Sequence, residues 1–97
     1  MLFMVISTPR PEKPTAVVSA RRRFWKWFKP LQEAGVAQWI YARPGRGAVA
    51  LLDTDDHEHL HRLLNAWADI IPATFELHPL IDAAAAQQHL AGVTRRR

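Results

Sequence analysis

The 97-residue sequence predicts a single α+β domain of the ferredoxin-like type, β-α-β-β-α-β, with a four-stranded antiparallel sheet. Three observations predict it. Short apolar runs closed by proline and glycine turns are interleaved with two stretches whose apolar residues recur at spacings of three and four. The length allows one core, because a second would leave each half too small to bury enough surface. Hydrophobic residues are 48% of the chain and charged residues 23%, the mixture of a packed globule and not of a disordered tail.

The elements follow in order. Residues 1–7 (MLFMVIS) form an apolar run ended by Thr8-Pro9-Arg10-Pro11, which reads as a buried first strand. From Pro14 to Gly35 the positions Val17, Ala20, Phe24, Trp27, Phe28 and Leu31 fall on one stripe of a helix. Thr15 is placed to cap that helix and Gly35 to stop it, while Pro30 removes one backbone hydrogen bond and loosens the last turn. Residues 36–43 alternate poorly but carry Trp39, Ile40 and Tyr41; with the turn Pro44-Gly45-Arg46-Gly47 and the run 48–52 they predict a β-hairpin. Asp53, Thr54, Asp55 and Asp56 then put capping and acidic groups at a helix start, ahead of the stripe Leu60, Leu63, Leu64 and Trp67. Residues 73–80 set Phe75, Leu77 and Pro79 on one face of a last strand, with Thr74, Glu76 and His78 on the other. An alanine-rich segment, 82–90, predicts a terminal helix ending at Gly92, so that the domain spans residues 1–92 and residues 93–97 form a basic tail, frayed over Arg95 to Arg97.

Two helices cover one side of such a sheet. The strands are too apolar for the other side to face water alone, so a face-to-face homodimer or a larger homo-oligomer is expected. The absence of cysteine removes disulfides, thiolate metal sites and cysteine nucleophiles. No apolar run approaches the roughly 18 to 20 residues of a membrane span, and the expected product is soluble and cytoplasmic, without membrane contact. The net charge is +4, but Arg21, Arg22 and Arg23 with Arg95, Arg96 and Arg97 supply six of the thirteen basic residues. The basic groups are split between a helix and a tail, and the first three point in different directions, so nucleic acid is not an expected partner.

Several short pieces together resemble the muconolactone isomerase family of the dimeric α/β-barrel superfamily. They are Met1-Leu2-Phe3 with Val5, Leu31-Gln32 before Gly35, Ile40-Tyr41 with Pro44-Gly45-Arg46, Leu60-His61 with Leu64, Pro72, and Pro79-Leu80. The resemblance runs over about residues 1–81 and implies a dimeric α/β barrel. It also implies a small cofactor-independent enzyme that isomerises an unsaturated lactone or enol-type intermediate by moving a proton. Members carry a glutamate midway along the first helix, where this chain has Arg21-Arg22-Arg23-Phe24, and Leu-Trp-Arg in the second strand, where it has Ile40-Tyr41-Ala42 and then Arg43. A cofactor-free monooxygenase or cyclase acting on an aromatic polyketide-like substrate, and a ligand-binding barrel protein without catalysis, are the alternatives.

Proton transfer next to a lactone carbonyl needs a base, a donor for the dienolate oxygen and a dry pocket. Glu76 is the acidic residue placed mid-strand; it and His78, two residues on, share a side and are the expected base and proton carrier. Tyr41 is the expected donor to the oxyanion. Against these roles stand a solvent-facing or ion-paired Glu76 and a Tyr41 serving the core or an interface. His61, Arg43, Trp39 and Arg21 are expected to contact substrate, Arg21 as the anchor for an acidic group. His57 and His61 are spaced to share an ion, but no third ligand completes a set, and no metal or other cofactor is expected. Trp25 lies off the apolar stripe with Val18 beside it, which predicts an exposed ring that meets a subunit or a ligand.

Overall fold

The computed structural model describes residues 1–95. Its elements are β1 (Leu2–Pro9), a 3-10 turn (Pro14–Val17), α1 (Val18–Glu33), β2 (Ala37–Ala42), β3 (Ala48–Asp53), α2 (His57–Ile70), β4 (Ala73–Leu80) and α3 (Ala83–Arg95). The strands form one antiparallel sheet in the order β2-β3-β1-β4, which is the ferredoxin-like arrangement. β1 is central, and its side chains alternate as a pleat requires: Phe3, Val5 and Ser7 are buried beneath the helices, whereas Leu2, Met4 and Ile6 are half-buried on the far side.

α1 starts differently from the sequence expectation. Thr15 does not cap it; Pro14 opens the 3-10 turn, Lys13 holds the cap position without a side-chain bond, and the α-helix proper begins at Val18. Proline at the first helical position has no N–H to satisfy and a preset φ, so the entry works without a polar cap. The helix runs through Pro30 to Glu33 and closes with the Ala34 N–H donating to the Pro30 carbonyl (3.0 Å) and the Gly35 N–H to the Gln32 carbonyl (3.1 Å). Gly35 sits at φ +78°, the left-handed residue that a helix stop favours. α2 has the expected cap: the Asp56 carboxylate accepts from the His59 N–H at 2.7 Å.

Phe24 and Phe28 of α1 stack at 5.4 Å, Phe24 meets Trp67 of α2 at 4.8 Å, and Trp67 meets Phe75 of β4 edge-on at 5.3 Å. Beneath these rings the sheet presents Ala37, Ala48 and Ala50 with Val5 and Leu52, small enough for the aromatic layer to seat close to the backbone. Leu77 shares this face with Val5 yet is 41% exposed, since the helices cover the Phe75 end of the edge strand β4 and not its middle.

Sequence alternation fails in β2 because of a bulge. Ala37 pairs with Leu52 and Trp39 with the next residue, Leu51, leaving Gln38 as the extra residue. Ala37, Ile40 and Ala42 therefore face the helices, and Trp39 and Tyr41 face the other way. Both sheet faces are thus assigned. The uncovered one carries Trp39 and Tyr41 on β2, Val49 and Leu51 on β3, Leu2, Met4 and Ile6 on β1, and Glu76, His78 and Leu80 on β4.

α3 departs from the expectation in length and place. It runs through Gly92 to Arg95, starting where the Asp82 carboxylate accepts from the Ala84 N–H at 3.0 Å; Arg96 and Arg97 of the expected tail lie outside the described residues. Among the described residues α3 packs on no other element. The chain accordingly measures 60 × 25 × 20 Å, with a radius of gyration of 16.5 Å against about 12.5 Å for a compact chain of this length. No helix is long and apolar enough among the described residues to cross a membrane.

Candidate functional site

At the end of β1 the β2–β3 turn folds back towards α1 and encloses a pocket of about 80 Å³. It is lined by the buried Ser7, Ala48, Phe24 and Trp67, by the exposed Trp25, and by Arg21, Arg43 and Arg46. Each part has a local cause. Ser7 is buried opposite Ala48, and its hydroxyl is held by the Ala48 N–H at 2.9 Å, so a polar residue sits in the core face without a lost hydrogen bond. The turn from Arg43 to Gly47 closes with the Arg43 N–H donating to the Gly47 carbonyl at 2.9 Å.

Two of the three guanidinium groups are anchored on the strand end. Arg43 Nη1 donates to the Ser7 carbonyl (3.1 Å) and to the Thr8 hydroxyl (3.2 Å), and Arg46 Nη1 donates to the Arg10 carbonyl (2.8 Å). Each keeps further N–H groups for another acceptor, since a guanidinium carries five. Arg21 approaches from α1. Among the described residues no aspartate or glutamate lines the pocket; Glu12, which lines the adjoining hollow, is taken by Arg10. Three cations therefore converge on a partly apolar hollow whose lining offers them no countercharge, an arrangement that favours an anion with a flat apolar body. A second hollow of about 190 Å³ adjoins it, sharing Arg46 and Ile71 and extending past Val17, Ile70 and Pro72.

Of the residues expected to contact substrate, Arg21 and Arg43 meet here, and Trp39 and His61 do not. Trp39 is on the opposite sheet face, stacked obliquely on Tyr41 at 5.5 Å. His61 is exposed on α2 and pairs with Asn65 at 3.0 Å. Glu76 and His78 are together, with His78 Nε2 3.1 Å from Glu76 Oε2, on the uncovered face. Tyr41 is on that face too but at the far edge, about 14 Å from Glu76 across three strand spacings, and 70% exposed. One chain thus brings Glu76 and His78 together and leaves Tyr41 apart from them.

The helix histidines are separately engaged: the Asp55 N–H donates to His59 Nδ1 at 3.1 Å, and His57 packs edge-on to Phe3 at 6.0 Å. Among the described residues no three histidine or acidic side chains converge as metal ligands. Trp25 is 47% exposed, as its place off the stripe predicts, and it serves the pocket wall. Sequence reasoning missed Arg46 and Ser7. The signal for Arg46 was an arginine three residues after Arg43, between two turn glycines; Ser7 was readable as a polar residue at an inward strand position.

Over residues 1–94 the sequence matches the family described as a domain of unknown function, DUF3303. The match takes in nearly the whole chain, and the protein belongs to this family. No curated protein matches it.

Proposed function

We propose that this DUF3303 chain binds a small organic anion, a carboxylate or an enolate, without a cofactor and in the cytoplasm. The observation that carries the proposal is the convergence of Arg21, Arg43 and Arg46 on a pocket with no acidic lining residue. Removing a carboxylate from water is costly, and charge-assisted guanidinium bonds at about 1.5–3 kcal/mol each offset that cost. Phe24, Trp25 and Trp67 suit a planar, unsaturated body. At about one water-sized group per 10–15 Å³, a pocket of about 80 Å³ takes roughly six heavy atoms, so the anionic end lodges there and the remainder extends into the neighbouring hollow. That volume suits a single small ring better than a polycyclic substrate.

Benzoate and its neutral counterpart benzamide are the probes. Calorimetric titration is expected to show benzoate binding that weakens with salt and falls about tenfold or more in Arg21→Gln, while benzamide binds far less. Equal affinity for the two compounds would remove the anion reading. Arg21 is the informative position because, among the described residues, Arg43 and Arg46 hold the Ser7 and Arg10 carbonyls and Arg21 holds no strand-end carbonyl.

A second reading, proton-transfer isomerisation of a lactone or enol, is favoured by one observation: a carboxylate and an imidazole 3.1 Å apart beside an apolar sheet face. The pocket holds no base of its own, so this chemistry belongs on the uncovered face, which a second copy would cover and dry. With muconolactone as probe, Glu76→Gln is expected to lower turnover by roughly 10²- to 10⁴-fold at unchanged melting temperature; undiminished turnover would take Glu76 out of the mechanism. The same apolar face supports a homodimer, expected as a mass of twice 11.1 kDa by light scattering at micromolar concentration.

A further inference from the structure

The pairing register of the uncovered face puts residues of opposite sheet edges in common rows. Tyr41 pairs with Val49, Val49 with Ile6, and Ile6 with Glu76; one row along, Trp39 pairs with Leu51, Leu51 with Met4, and Met4 with His78. Each row therefore runs from an aromatic side chain on β2, over two apolar residues, to one member of the Glu76–His78 pair on β4. The middle of the face is apolar and the two edges are chemically different.

A four-stranded sheet can meet a copy of itself face to face about a two-fold axis in either of two directions. An axis across the strands lays like edge on like edge, which sets the two Glu76 carboxylates on the same side of the interface and leaves the phenols together. An axis along the strands, between β3 and β1, lays β2 of one copy over β4 of the other and keeps each row at its own level. Tyr41 then faces Glu76, and Trp39 faces His78. The second arrangement gives a desolvated carboxylate a phenolic O–H donor and an imidazole an aromatic partner, keeps like charges apart, and buries Val49 and Leu51 of each copy against Ile6 and Met4 of the other. Electrostatic complementarity selects it.

We infer that Glu76 and His78 of one protomer and the partner's Tyr41 and Trp39 build one composite site, present twice in a dimer whose two-fold axis runs along the strands. The inference rests on the homodimer reading above and adds to it the direction of the axis and the residues that meet. It also explains in one geometry why the Glu76 carboxylate and the phenolic donor, far apart in a single chain, lie in the same row. Sheets packed face to face are about 10 Å apart, so facing side chains close the gap to a ligand of a few heavy atoms. The site would take a small carbonyl compound, its acidic C–H towards Glu76 and its oxygen towards the phenol.

The chain has no cysteine, which makes cross-linking a clean test. The variants are Tyr41→Cys, Glu76→Cys and the double variant, each checked first by circular dichroism and light scattering, then treated with a short bis-maleimide and run on a denaturing gel. The double variant is expected to give a band at twice 11.1 kDa and each single variant little or none; Trp39→Cys with His78→Cys repeats the test one row along and serves if the first pair disturbs folding. A dimer by light scattering in which Tyr41→Cys alone cross-links, or in which neither pair does, overturns the composite site while leaving the homodimer standing. A stable monomer of the unaltered protein overturns both.

Discussion

Gly47 shows how much one residue can hold in place. It adopts φ +104°, and a Cβ built there would lie 2.5 Å from the Ser7 carbonyl oxygen, so no other residue fits without moving β1 or the turn. That same oxygen receives the Arg43 guanidinium. Gly47→Ala is therefore expected to cost about 2 kcal/mol or more in urea unfolding and to weaken benzoate binding as well, because Arg43 loses its anchor. Loss of stability with unchanged benzoate affinity would separate the turn from the pocket. At this scale the sequence was partly legible. Arg21 and Arg43 carry charge that a pocket can use, and both are in it. Trp39 and His61 carried the right chemistry at positions whose direction depends on the bulge and on the helix face, which composition does not reveal.

Among the elements, β2 is the one whose sequence misleads. Read with a period of two, Ala37, Trp39 and Tyr41 would share a face; the extra residue at Gln38 instead sends the two aromatics outward and turns Ile40 and Ala42 to the helix side, where Ile40 is half-buried and Ala42 stays exposed. Deleting Gln38 closes the bulge and keeps this facing, because Ala37, Trp39, Ile40, Tyr41 and Ala42 then alternate directly in the pairing they already have. The deletion variant is expected to fold with a stability within about 1 kcal/mol of the parent, as judged by circular dichroism and urea unfolding. A loss of about 3 kcal/mol or more would show that β2 does not keep its facing once the extra residue is gone. α2, by contrast, was readable to its cap, because an aspartate before a three-four apolar stripe has a local meaning that tertiary contacts do not alter.

For the whole molecule, the unequal dressing of the sheet is the governing fact: aromatic rings and two helices on one side, exposed apolar strands on the other, and α3 projecting from the end of β4. Since no strand or other helix packs against α3 among the described residues, removing residues 83–97 is expected to leave the unfolding free energy of the body within about 0.5 kcal/mol. A loss above about 1 kcal/mol would place α3 against a second copy in solution.

The order and type of the elements were determined by the sequence alone, because hydrophobic period, proline turns and helix stops act over a few residues and need nothing distant. So was the two-sided character of the sheet, which follows from having two amphipathic helices for four apolar strands. The tertiary structure alone decided which arginines meet. Arg21 lies more than twenty residues from Arg43 and Arg46, and their convergence depends on how α1 lies across the sheet and how the turn folds back on Ser7. It alone also set Tyr41 and Glu76 at opposite edges of one row, since pairing register is a property of four strands together and of none of them separately.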